Sequence, residues 1–138
     1  MSQLYMLDTN MASYLLKGKS PATRQRMLSL QVGELACISA VTEAEMLYGI
    51  AKSGIGEQRM RLLNWFLLLV AVQPWGREEA AAYGPLRARQ EAMGKTLGPL
   101  DMQIAAHAIS LGAVLVTNDK AFHQVPDLVG VDNWATDL

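Results

Sequence analysis

Asp8, Glu45, Asp101 and Asp119 are the residues of this sequence whose types and settings suit chemistry. Each alone has an ordinary structural reading. Asp8 suits the cap of a following helix. Thr42 and Glu45 fit the S/T-x-x-E box that closes a helix start. Asp101 falls in a first helical turn after Pro99, where negative charge complements the helix dipole, and Asn118-Asp119 is a common turn pair. Brought to one place, the four would do what none does alone. Two carboxylates about 4 Å apart repel by roughly 4 kcal/mol at an effective dielectric of 20, so such a cluster needs protons or cations to persist. With only oxygen ligands on offer, Mg²⁺ is favoured, with Mn²⁺ as a substitute, over Zn²⁺, which calls for His or Cys.

The remaining reactive side chains supply no rival centre. Six residues along a helix turn a side chain by about 240°, so His107 faces away from Asp101. A helical His among alanines reads as structural, and His123 in a polar loop has no partner pattern. Cys37 lies inside the apolar run Leu35 to Ile38, which argues against a Cys-His nucleophile. Glu43 competes with Glu45, but positions two apart on a helix point nearly opposite ways, so one faces solvent. Glu45 is preferred because it shares a face with Thr42, Tyr48 and Gly49, a glycine expected to let the helix approach the sheet closely.

The elements that must position these acids can be read from the apolar pattern. Leu4 to Leu7 predicts a strand stopped by Asp8-Thr9-Asn10, with a helix behind it to about Lys17. Pro21 opens a second helix to about Gln31, ended by Gly33. Leu35 to Ile38 is the next strand, followed by helices over about Ala40 to Lys52 and Glu57 to Leu69. Val70 to Gln73 predicts a third strand. Long helical patterns follow over Arg77 to Met93 and Asp101 to Ser110, the latter closed by Gly112. Ala113 to Thr117 is a continuous apolar strand, and Leu128 to Val131 adds a last one at an edge. Short apolar strands alternating with helices predict an α/β/α sandwich with a mostly parallel central sheet. Ligands in such sheets collect at the carboxyl ends of the strands, near the point where strand order reverses. Asp8 and Asp119 both lie just past predicted strands, which puts them on that edge.

Composition narrows the functional classes. The 138 residues are 51% hydrophobic and 18% charged, enough for one cored domain spanning 1–138 and too apolar for a disordered chain. One cysteine excludes a disulfide framework and suits a reducing compartment. Met1 to Leu7 lacks a basic leader, so a cytoplasmic location is expected. The longest apolar stretch, Leu62 to Val72, is far shorter than the roughly 20 residues of a membrane helix. A net charge of −1 argues against bulk electrostatic coating of nucleic acid, so any RNA contact is local. Lys17, Lys19, Arg24 and Arg26 form one candidate basic group, and Arg77, Arg87, Arg89 and Lys95 another, although a solvated helix face is the favoured explanation of each.

Leu7-Asp8-Thr9-Asn10, Ile38-Ser39 leading to Ala44-Glu45-Met46-Leu47-Tyr48-Gly49, Gly98-Pro99-Leu100-Asp101, and Val116-Thr117-Asn118-Asp119 with Phe122 occur in that order. In this the chain resembles the PIN-domain nucleases, and more narrowly the VapC toxins of bacterial toxin–antitoxin pairs. The resemblance runs from Leu7 to Trp134. It implies a PIN fold, Mg²⁺-dependent endoribonuclease activity and inhibition by a VapB-like antitoxin. It assigns Asp8, Glu45, Asp101 and Asp119 to metal binding, with Thr9 and Thr117 placed to orient carboxylates or water. The chemistry implied is metal-assisted phosphodiester hydrolysis leaving 5′-phosphate and 3′-hydroxyl ends. Asp8 with Asp101 would hold the principal ion, and Glu45 or Asp119 a second ion or the attacking water. A tRNA anticodon loop is the implied target, initiator tRNA first.

Two other readings compete. A phosphotransferase of the haloacid dehalogenase type needs a second Asp two residues after the first, where this chain has Asn10. A catalytically inactive RNA-binding or protein-interaction module remains the alternative, against which stands the presence of all four acids. The segment Leu62 to Val70 is hydrophobic almost all round, so it is either core or a face that meets another chain. A homodimer is the expectation for the second case.

Overall fold

The computed structural model of the chain describes residues Ser2–Leu138. Five strands, β1 (Gln3–Leu7), β2 (Glu34–Ser39), β3 (Ala71–Gln73), β4 (Val114–Val116) and β5 (Val131–Asp132), form one sheet in the order β3-β2-β1-β4-β5. Every pairing is parallel, so all five carboxyl ends lie on one edge. The chain winds outward from β1 to β3, then returns to place β4 on the other side of β1. That reversal opens a crevice between β1 and β4, and Asp8 sits at its mouth.

Parallel strands must be joined by crossovers, and the helices that make them cover both faces of the sheet. Alternation along the strands sorts side chains between two cores. Leu7, Ile38 and Val116 pack with Met11 of α1 (Thr9–Lys17), Met27 of α2 (Pro21–Leu28), Met46 of α3 (Ala40–Ser53), and Leu63 and Phe66 of α4 (Gly56–Phe66). Met6, Cys37 and Leu115 pack on the other face with Leu86 of α5 (Arg77–Ala92) and Met102, Ile104 and Ala105 of α6 (Pro99–Leu111). The α/β/α sandwich expected from the alternating pattern is the architecture found.

The elements differ from expectation mainly at their ends. α2 stops at Leu28, where Ser29 caps it, and not near Gln31. α4 stops at Phe66; Leu67 to Leu69 turn the chain toward β3, which leaves Leu68 83% exposed. The last strand is Val131–Asp132 rather than Leu128 to Val131, because Leu128 is drawn into the core beneath a 3₁₀ turn over Lys120–Gln124. No helix among the described residues is long and apolar enough to cross a membrane.

Candidate active site

The end of β1 is tied to the end of β4 by a short polar relay. The Asp8 N–H donates to the Val116 carbonyl at 3.0 Å, which extends the pairing one residue past the strand. The Thr117 hydroxyl donates to Asp8 Oδ2 at 2.5 Å while accepting from the Asp119 N–H at 3.0 Å. Asp8 Oδ1 accepts from the Met11 N–H at 2.8 Å and so caps α1. The ordinary reading of Asp8 as a cap is therefore true, and it fixes the carboxylate at both oxygens. Asp119 likewise caps the 3₁₀ turn, accepting from the Ala121 N–H at 2.9 Å.

The other two acids arrive on helices. Gly98-Pro99 sets the start of α6, which leaves Asp101 in its first turn. Glu45 lies in the second turn of α3, whose cap is Ser39, accepting from the Val41 N–H at 3.0 Å. Thr42 is not the cap: its hydroxyl lies 3.2 Å from that of Thr9, so the suspected Thr42–Glu45 box is absent and Glu45 is left without a capping duty. Thr117 thus orients a carboxylate, whereas Thr9 links α1 to α3. Glu43 and Glu45 are both half-buried, so neither is the solvent-facing partner expected. The charge of Asp101 acts on Glu45.

The four acids form one electrostatic group. Burial foremost, opposed by the hydrogen bonds from Thr117 and Met11, and then the charges of Asp101 and Asp119, push Asp8 up to about 6. Burial and then Asp119 raise Asp101, and burial and then Asp101 raise Glu45. None of the four takes part in an ion pair among the described residues. Nor do any three His, Cys, Asp or Glu side chains among those residues close into a ready-made cage. The arrangement is an open, acidic, oxygen-only rim. It fits a hard ion such as Mg²⁺, which keeps several waters and takes only one or two carboxylates directly, better than an ion that needs a full protein shell.

Beneath the rim lies a second polar group that the sequence pattern did not reveal. His107 of α6 is fully buried, with Nδ1 2.8 Å from Ser39 Oγ and its ring edge-on to Trp75. Ser39 Oγ also accepts from Val41, and the far ring nitrogen, Nε2, faces Glu79 Oε1 at 3.6 Å without a hydrogen-bond partner among the described residues. Burial lowers the His107 pKa more than Glu79 raises it, so the ring is neutral. The contact ties α6, which carries Asp101, to the cap of α3, which carries Glu45. Cys37 is buried and its thiol is pushed up to about 12, which makes it inert.

Residues 5–128 match the family described as PIN domain. The chain belongs to the PIN-domain family. Within it, this chain falls in the VapC group. It is 34% identical over 132 residues to the tRNA(fMet)-specific endonuclease VapC of Shigella flexneri, which covers 95% of this chain and 98% of that protein. VapBC2 of Rickettsia felis, solved bound to a DNA fragment from its promoter, superposes with a TM-score of 0.90 at 33% identity, over 96% of this chain and 99% of that one. DNA-bound VapBC of Salmonella typhimurium gives 0.87 at 32% identity, over 97% and 99%.

Proposed function

We propose that this VapC-family chain is a Mg²⁺-dependent endoribonuclease, the toxin of a toxin–antitoxin pair, with Asp8, Glu45, Asp101 and Asp119 as its ion-binding and catalytic residues. The observation that carries the reading is a group of four acids from four different elements at the crevice between β1 and β4, none of them ion-paired among the described residues. When bound, Mg²⁺ supplies a Lewis acid that activates water and steadies charge on the leaving 3′-oxygen; Mn²⁺ substitutes for it. Asp8, held at both oxygens, and Asp101 would hold the ion. Glu45 and Asp119 orient the attacking water or contribute to a second ion. Attack by water rather than by the 2′-hydroxyl leaves 5′-phosphate and 3′-hydroxyl ends.

The Shigella relative is named for tRNA(fMet), which supports initiator tRNA, cut in its anticodon loop, as the substrate and arrest of translation in the cytoplasm as the outcome. The solved VapBC relatives support a VapB-like antitoxin as partner. So does the surface of α4. Leu63, Phe66 and Val70 are buried, but Leu62 and Trp65 are 43% and 49% exposed and line an apolar groove of about 390 Å³ with Leu15, Met27 and Leu28. An antitoxin helix suits that groove, and an antitoxin Arg suits the acids, since a guanidinium pairs carboxylates at two points. A second copy of the chain completes a homodimer. The test is to incubate purified protein with initiator tRNA, with and without Mg²⁺, and map the ends. Single cuts that need Mg²⁺ and leave 5′-phosphates are expected; metal-independent cuts leaving 2′,3′-cyclic phosphates would contradict the reading.

A further inference from the structure

A trough leaves the acidic rim at Glu45 and runs between α1, α3 and α4. Its near part, about 200 Å³, is lined by Thr9, Ser13, Glu45, Gly49, Lys17 and Arg59. Its far part continues past Lys17 and Arg59 to Gln58 and Leu62. Thr9, Ser13 and Lys17 follow one another at four-residue steps, so they stand on one side of α1 over about 12 Å.

Two features of this trough bear on its use, although Lys17 also complements the C-terminal end of α1. Lys17 and Arg59 make no ion pair among the described residues, although Glu45 lines the same trough. Arg26, Arg87 and Arg89 are ion-paired, whereas Arg24, Arg61 and Arg77 share the unpaired state of Arg59 among the described residues; what sets Lys17 and Arg59 apart is that they line the trough that holds Glu45. The second feature is Gly49. It sits inside α3, where glycine weakens a helix. Its φ is not positive, and a Cβ built on it meets nothing within 4 Å. The expectation that Gly49 lets α3 approach the sheet is therefore wrong: the residue is exposed. What its missing side chain keeps clear is the wall of the trough.

We propose that this trough seats the sugar–phosphate backbone of the RNA beside the scissile bond, with Lys17 and Arg59 holding neighbouring phosphates and Gly49 leaving room for the strand. The inference rests on the nuclease reading, because a phosphodiester placed at the acids must extend somewhere. The acids themselves repel RNA, so cations one to two helical turns away have to draw it in. The hydroxyls of Thr9 and Ser13 suit phosphate and ribose oxygens along the same path.

Binding separates this proposal from catalysis. A fluorescent single-stranded oligoribonucleotide is titrated against full-length Asp8→Asn protein, which retains the trough, at several salt concentrations. Adding Lys17→Gln or Arg59→Gln is expected to weaken binding on the order of tenfold each. Each should also reduce the slope of log affinity against log salt by about 0.7, the amount for one single-strand phosphate contact. Gly49→Glu should weaken binding comparably, whereas Gly49→Ala should fold at least as stably as its parent. Arg87→Gln, which removes an ion-paired cation of α5, should leave affinity and slope unchanged. Unchanged binding in both Lys17→Gln and Arg59→Gln, or no RNA binding by the parent, overturns the proposal. So does a result in which these variants weaken only self-association or capture of a partner protein. Wild-type protein that binds RNA through Lys17 and Arg59 but never cleaves it would instead reject the nuclease reading and leave the trough standing.

Discussion

The first turn and the middle of α6 carry polar groups that the fold treats in opposite ways. At the N-terminal end Asp101 joins three other acids, all of one sign, without a cation among the described residues. Two turns on, His107 is enclosed by Ser39, Glu79 and Trp75 and stays neutral. His107 is cut off from water, whereas of the rim acids only Asp8 is buried and the other three are half-buried. The buried histidine is bonded at Nδ1 by Ser39 and has Glu79 3.6 Å from Nε2, whereas the rim acids have no ion-pair partner among the described residues. A folded chain tolerates an uncompensated cluster of like charges where something else completes it, and the contrast supports the proposal of a functional rim with His107 as its support.

Removing one member from each group should give opposite signs. Asp8→Asn is expected to abolish RNA cleavage by more than the roughly 10–100-fold that loss of an outer partner of a metal ligand costs. The same change should raise the stability of metal-free protein at neutral pH, since it deletes a buried charge held near three others. His107→Ala should behave oppositely: it opens a cavity and strands Ser39 and Glu79, at a cost of roughly 2–4 kcal/mol. Chemical denaturation of both variants in chelator checks the pair. An Asp8→Asn protein less stable than wild type would break the comparison.

The pH dependence sharpens it. Asp8 titrates near 6 when folded, above its ordinary value of 3.8, so its contribution favours the folded state fully only below about 4. That contribution is lost as pH rises through about 6. At about 1.4 kcal/mol per pH unit of displacement, the full loss is about 3 kcal/mol. His107 acts in the opposite direction: unfolded chains take up its proton below about 6.5 and the folded one resists, so stability falls on acidification. The difference in stability between wild type and Asp8→Asn isolates the first effect. It should narrow steadily from pH 7 to pH 4, as followed by urea unfolding in chelator. A smaller change is expected from Thr117→Val. Without that hydroxyl the Asp8 carboxylate loses a bond that lowers its pKa, and the acidic limb of the cleavage–pH profile should move up by about one pH unit.

The sandwich was legible because its strands are short apolar runs broken by Asp, Gly and Pro, and because parallel order sends their ends to one edge. Asp8 and Asp119 follow from that directly. Glu45 was reached by a partly mistaken route, since Gly49 does not support close packing, while the ordinary reading of Thr42 with Glu45 as a capping box fails as well. The ends of α2 and α4 were overextended because apolar residues continue past them, and only the need to turn into β2 and β3 stops the helices. Ser39 and His107 are 68 residues apart, and Arg59 meets α1 across the trough from a different helix. Such pairings carry no local periodicity; they exist only once the layers have packed.

The central claim is that the acids of the rim hold a divalent cation. It is tested most directly by following the thermal midpoint of wild-type, Asp8→Asn and Asp101→Asn proteins at pH 7 while Mg²⁺ is added. A ligand that binds only the folded state stabilises it by about 2.7 kcal/mol at one hundred times its Kd. The wild-type midpoint should climb with Mg²⁺ toward a gain of that size, and both variants should start higher and climb little. A wild-type midpoint that ignores Mg²⁺ and Mn²⁺, or variants that respond as it does, would contradict the claim.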